Sequence, residues 1–164
     1  MSAVISACQQ SGLGYSSTVV AKNEFYFLPI DSNVETPDDW PLKIPESGTN
    51  YSYEVWLFFR CDVAPSQYCK NFKIWCDGNV PSGMKITVNK DAVNSYQTPV
   101  NTKSTVGTRD DFSNYTESNK LSVAGELNNV GDKTSYIVFQ LEIDSAAEQG
   151  AYEDFTVYYQ YDEV

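Results

Sequence analysis

Apolar and polar residues alternate with a period of two through most of the chain, which is the pattern of strands buried on one face. From Tyr51 to Val63, one side carries Tyr51, Tyr53, Val55, Leu57, Phe59, Cys61 and Val63. The other carries Ser52, Glu54, Trp56, Phe58, Arg60 and Asp62. Phe72, Ile74 and Cys76 alternate with Lys73 and Trp75, and Met84, Ile86 and Val88 with Lys85, Thr87 and Asn89. Leu121, Val123 and Leu127 form a short set, followed by Ile137, Phe139, Leu141 and Ile143 against Val138, Gln140 and Glu142. The closing set places Phe155, Val157, Tyr159 and Tyr161 opposite Asp154, Thr156, Tyr158 and Gln160. An earlier strand is expected from Lys22 to Ile30, and only residues 144–151 could make a helical turn. Clusters of Gly, Pro, Asn, Asp and Ser separate these runs. The pattern predicts an all-β, antiparallel β-sandwich of about seven to eight strands, jelly-roll or immunoglobulin-like, in a single domain over residues 21–164.

Three segments fall outside the alternation. Residues 1–20 are small and polar and are expected to form an extended N-terminal arm, flexible or partner-bound. Residues 31–50 place Pro37, Pro41 and Pro45 around Asp38, Asp39 and Trp40 in a long loop. Residues 94–120 are rich in Asn, Thr and Ser with few apolar anchors, and a loop of that length in a compact domain is functional or mobile.

Composition narrows the chemistry. The 164 residues suit one domain with a core of its own. With 22 acidic against 11 basic residues and a formal charge of −11, neither nucleic acid nor an anionic membrane is an expected partner. The absence of histidine excludes Ser-His-Asp and Cys-His machinery, imidazole metal ligands and imidazole acid–base catalysis. No apolar run is long enough for a membrane helix, and the start Met1-Ser-Ala-Val-Ile lacks the basic region of a signal peptide. Synthesis in a reducing cytosol is therefore expected. The spacing of Cys61, Cys69 and Cys76 matches no zinc pattern. Cys61 and Cys76 are expected in the core, Cys69 in a turn and Cys8 in the arm, with a disulfide from Cys61 or Cys69 to Cys76 left open.

The candidate sites follow from this. Asp31-Ser-Asn33-Val-Glu35 opens like a calcium loop but has Thr36 and Leu42 where an EF-hand needs glycine and glutamate. A looser calcium site could draw on Asp31, Asp38, Asp39, Asp110 or Asp111, and no cofactor is expected. Carboxylates alone can hydrolyse glycosides, with Glu142, Glu153, Asp154, Asp162 and Glu163 as candidates. Glu142 and Asp154 fall on the polar side of their strands, however, and no enzyme is expected. Trp56 and Phe58 also lie on the polar side of the strongest strand, and Trp75 on that of the next. Apolar residues on both faces mean that the second face is covered too. The cover could be a loop, such as the one holding Trp40, another subunit, or a sugar stacked on the indoles. Trp56, Phe58 and Trp75 are accordingly the candidate interface. Trp40, Tyr96 and Tyr115 are the candidates for a carbohydrate- or cell-surface-binding module, with calcium assisting.

The segments Val55-Trp-Leu-Phe-Phe-Arg-Cys-Asp-Val-Ala-Pro65, Gly131-Asp-Lys-Thr-Ser-Tyr-Ile-Val-Phe-Gln-Leu-Glu-Ile143 and Tyr158-Tyr-Gln-Tyr-Asp-Glu163 together resemble small β-sandwich structural proteins of tailed bacteriophages. Those proteins decorate capsids or belong to tails. The resemblance covers the region from Tyr51 onward, through motifs that are strand-like. It implies a non-enzymatic virion protein assembled in the host cytoplasm, with sister copies and other virion proteins as partners, and a homo-oligomer.

Overall fold

The computed structural model describes residues 2–32, 37–77, 79–150 and 155–164. Among the described residues, ten strands run in chain order as β1 (Val4–Ser11), β2 (Thr18–Ala21), β3 (Thr49–Tyr51), β4 (Val55–Val63), β5 (Cys69–Cys76), β6 (Met84–Asn89), β7 (Arg109–Asp111), β8 (Leu121–Val123), β9 (Ile137–Asp144) and β10 (Val157–Glu163). Every pairing is antiparallel. The larger sheet has seven strands in the order β2-β1-β4-β9-β6-β7, with β3 also on β9, and the smaller is β10-β5-β8. From β4 onward the chain passes repeatedly between the sheets. The alternating residues of both can therefore close one core, as a sandwich requires.

That core contains the inward sets read from the sequence: Val55, Leu57, Phe59 and Cys61 of β4, Phe72, Ile74 and Cys76 of β5, Ile86 and Val88 of β6, and Ile137, Phe139 and Ile143 of β9. Phe112, in a 3-10 turn capped by Asp111, fills the space between sheets and meets Phe139 edge-on at 4.8 Å.

Strict alternation breaks at bulges, and each break moves side chains to the other face. Tyr51 pairs with Glu142 while Val55 pairs with Phe139, so one extra residue lies between β3 and β4. Tyr51 thus shares the face of Glu142 rather than continuing the inward set. On β5 the extra residue is Asn71, whose φ of 56° lies in the left-handed region. Its amide donates to Asp162 Oδ2 at 2.7 Å. The bulge explains Cys69, which belongs to β5 and is fully buried rather than sitting in a turn. Replacing Asn71 with valine is expected to cost about 1–2 kcal/mol, because a β-branched residue is poorly accommodated at positive φ. Glycine there should cost only a few tenths. Equal midpoints for the two variants in urea would remove this account of the bulge.

Two expectations are corrected. Residues 4–11, placed in an arm, form β1, and its register with β4 runs from Val4↔Val63 to Gln10↔Trp56. Its polar residues misled because Gln9 and Ser11 are themselves buried. Cys8 is accordingly a fully buried strand residue. The segment 22–30 is not a strand. It crosses the open end of the core as irregular chain, where Phe25 stacks on Phe139 at 5.5 Å. The 144–151 segment makes turns and no helix over its described residues.

Candidate interaction surface

The outer face of the large sheet carries the residues that suggested an interface, and the chain itself covers them. Trp56 is 0% exposed and Phe58 3%. With Cys8, Val106, Tyr136 and Val138 they form a second small core, against which Val93 and Tyr96 pack. Tyr136 stands edge-on to both Trp56 (5.3 Å) and Phe58 (5.5 Å), and Tyr96 edge-on to Trp56 (5.2 Å). The cover is the loop between β6 and β7, not the loop holding Trp40.

Polar side chains rising from the sheet hold this strap down. Gln140, fully buried, accepts from Ser104 N–H at 2.8 Å and donates to the carbonyls of Thr102 (2.8 Å), Ser52 (3.0 Å) and Val100 (3.4 Å). Asn89 accepts from Val138 N–H at 2.7 Å and donates to the carbonyls of Asp91 (2.8 Å) and Tyr136 (3.1 Å). Glu54 Oε2 accepts from the Trp56 indole at 3.1 Å. Arg109 donates to the Val138 carbonyl (2.8 Å) and to Thr87 Oγ1 (2.9 Å). Burial pulls its guanidinium down to about 10, against the opposing pull of Glu54 and Glu142, so it stays charged at neutral pH. These groups answer the backbone demand of a buried loop.

The other candidates do not converge. Tyr96 belongs to the outer cluster, where its hydroxyl donates to the Gly12 carbonyl at 2.7 Å and burial pushes its ionisation well above the usual phenol range. Tyr115 is buried in the inner core and bonds to Asp110 Oδ2 at 3.0 Å, so its hydroxyl is pushed up to about 12 by burial and by that carboxylate. Trp40 is exposed at the rim of a cavity of about 1380 Å³ at the open end of the sandwich. The inner walls of that cavity, including Leu57, Phe59, Ile86 and Phe139, are each 9% exposed or less. The end of the hydrophobic core thus forms the inner wall of the cavity, while Phe25, Phe27 and Phe155 along it are only partly buried.

Trp75 is half-buried on the outer face of the small sheet. Tyr158 stacks on it at 5.6 Å, and the Lys120 ammonium lies 4.3 Å from its ring centre. The register places these neighbours on opposite flanks, since Tyr158 pairs directly with Trp75 and Leu121 pairs with Ile74. The indole is thus flanked on both sides, which leaves Tyr158 as the exposed ring of the stack.

The acidic candidates are dispersed. Asp31 accepts from Gly12 N–H at 3.0 Å, Asp38 and Asp39 lie in the 3-10 turn Pro37–Asp39, and Asp111 accepts from Ser113 N–H at 2.9 Å. Among the described residues no group of three or more acids and cysteines could hold a metal ion. Asn33 and Glu35 of the calcium-like motif, and Glu153 and Asp154 of the carboxylate set, lie outside the described residues. Asp162 is held by Asn71, and Glu163 accepts from Ala3 N–H at 2.7 Å. The four cysteines are buried, and none forms a disulfide. Burial pushes the thiols of Cys8, Cys61 and Cys69 up, away from thiolate chemistry.

The surface that sequence reading missed is the β1–β2 hairpin. Its turn is anchored at several points: Gly12 N–H to Asp31, Tyr96 hydroxyl to the Gly12 carbonyl, Gly14 N–H to Thr98 Oγ1 at 3.2 Å, and Tyr136 hydroxyl to Gln10 Oε1 at 2.6 Å. On this fixed frame Leu13 (51%), Tyr15 (92%), Val19 (43%) and Val20 (41%) face solvent. The stretch Ser2–Ala21 contains no charged side chain in a protein of net charge −11. The β-branched run Thr18-Val19-Val20, three residues beyond Gly12-Leu13-Gly14, was the available signal, but the small polar residues around it masked it. Compared with family models, curated proteins and solved structures, the chain matches none of them.

Proposed function

We propose that this chain is a non-catalytic β-sandwich subunit that acts by protein–protein assembly, and that its contact is the β1–β2 hairpin rather than the Trp56 face. The observation that carries this reading is the anchored, uncharged hairpin with Leu13, Tyr15, Val19 and Val20 exposed. An exposed apolar run costs solubility, and a hairpin turn fixed by side chains from a distant loop is preorganised for contact. The surrounding acidic surface disfavours nonspecific association and directs it to this strip. A phage particle, in head decoration or tail, is the setting that the strand-level resemblance supplies.

Sedimentation velocity over a concentration series tests the reading. The wild-type chain is expected to associate above its 18.4 kDa monomer mass. The double variant Leu13→Ser/Tyr15→Ser should weaken that association at least about tenfold, as expected for removing an aromatic anchor and its neighbour, with an unchanged melting temperature. A wild-type monomer at every concentration from micromolar to millimolar would overturn it.

A further inference from the structure

We infer that the partner of the hairpin is a second copy of this chain, joined edge to edge through β2 in an antiparallel two-fold pair, so that the two large sheets become one. The inference rests on the assembly reading and names its occupant.

Sheet ends present unpaired backbone groups, and proteins blunt them with charge, proline or shortness. Most of the ends here are blunted. β7 is Arg109-Asp110-Asp111, β10 carries Asp162 and Glu163 in its last turn of sequence, and β3 and β8 have three residues each. By contrast β2, Thr18-Val19-Val20-Ala21, has neither charge nor proline, and all four residues are exposed. The direction of its free groups follows from the pairing with β1. Lys22 N–H donates to the Ala7 carbonyl, so Val20 and Thr18 also bond inward, while the N–H and C=O of Val19 and Ala21 point away from the sheet.

Like copies suit this edge better than a foreign strand. Two molecules of charge −11 repel where their acidic surfaces approach, and the uncharged Ser2–Ala21 segment lets the β2 edges meet without adding to that repulsion. A partner of opposite charge would instead be drawn to the acidic faces and away from this strip. The strand is also self-complementary. With Val20 opposite Val20 of the second copy, Val19 faces Ala21 on both sides of the axis. The outward groups of those residues then exchange four hydrogen bonds without using any residue outside β2. Lys22 falls opposite Thr18, so no like charges meet, and Leu13 and Tyr15 lie in the turn beside the shared edge.

The full chain is tested by sedimentation velocity and light scattering. Wild type should shift with concentration towards twice 18.4 kDa and stop there. Val19→Pro removes an outward N–H while leaving the bonds to β1, and should weaken the dimer at least about 30-fold with little change in melting temperature. Val20→Lys and Val20→Glu place like charges across the axis, and each should weaken self-association about tenfold. An equimolar mixture of the two should restore the dimer. These surface changes keep the test open if the proline variant fails to fold. Association that survives Val20→Lys and Val20→Glu yet is lost in Leu13→Ser/Tyr15→Ser would overturn the β2 pairing and leave the assembly reading standing. Mass that grows without limit would overturn the closed pair. A monomer throughout would overturn both.

Discussion

Replacing Trp56 with alanine is expected to destabilise the fold by about 3–5 kcal/mol, the range for deleting a large aromatic from a packed core. The side chain is 0% exposed, and the rings of Tyr96 and Tyr136 meet it edge-on. Its loss also removes the indole N–H from the buried Glu54 Oε2, which keeps only the longer bond from Val100 N–H at 3.4 Å. Against a domain stability of roughly 5–15 kcal/mol, the variant is expected to be marginal or unfolded at room temperature. Trp75→Ala is the matched comparison. That indole is half-buried on the other sheet, and its loss should cost only about 1 kcal/mol. Urea unfolding followed by far-UV circular dichroism separates the two. A well-folded Trp56→Ala protein within 1 kcal/mol of wild type would mean that the second core contributes little.

This expectation differs in kind from the interface alternative among the three covers that the sequence left open, in which Trp56 and Phe58 would meet another subunit. Periodicity correctly showed that both faces of β4 are covered. It could not show by what, because the covering segment is joined to the sheet by polar groups far away in sequence. Ser104 N–H reaches Gln140, and Val100 N–H reaches Glu54. Read locally, residues 94–120 have few apolar anchors, yet Val106, Phe112 and Tyr115 are each buried.

The inward sets of β4, β5, β6, β8 and β9 were legible because apolar residues recur at every second position on the side facing the core, even where, as on β4, the other face is buried too. Where it does not survive, the reading failed for identifiable reasons. A single extra residue at Asn71 shifts Cys69 from the odd positions into the core, and another between β3 and β4 turns Tyr51 outward. β1 was hidden because its outer neighbours are Cys8 and Gln10, which pack under Tyr136 rather than facing solvent. The same blindness removed the β1–β2 hairpin from the list of surfaces, since an edge strand announces itself through pairing and not through composition.

Replacing Gln140 with leucine is the second large effect expected, about 2–4 kcal/mol, although the substitution nearly preserves volume and is apolar in a buried position. One side-chain amide serves the Ser104 N–H and the carbonyls of Thr102, Ser52 and Val100. Leucine leaves those backbone groups without this partner under a loop that excludes water, and each unsatisfied group carries a desolvation penalty. The loop can relieve the penalty by lifting, which in turn exposes Val106, Tyr96 and Trp56. The cost should therefore be local before it is global. Hydrogen exchange at Ser104 and Val106 should accelerate by at least about thirtyfold while exchange in β5 and β9 changes much less, because opening of the strap does not require separating the sheets. Tryptophan emission should shift to the red as the indole of Trp56 meets water. Uniform acceleration across β5, β9 and the strap would show that the outer cluster and the inner core unfold together. The strap would then be an integral part of one cooperative unit, not a cover fastened to it.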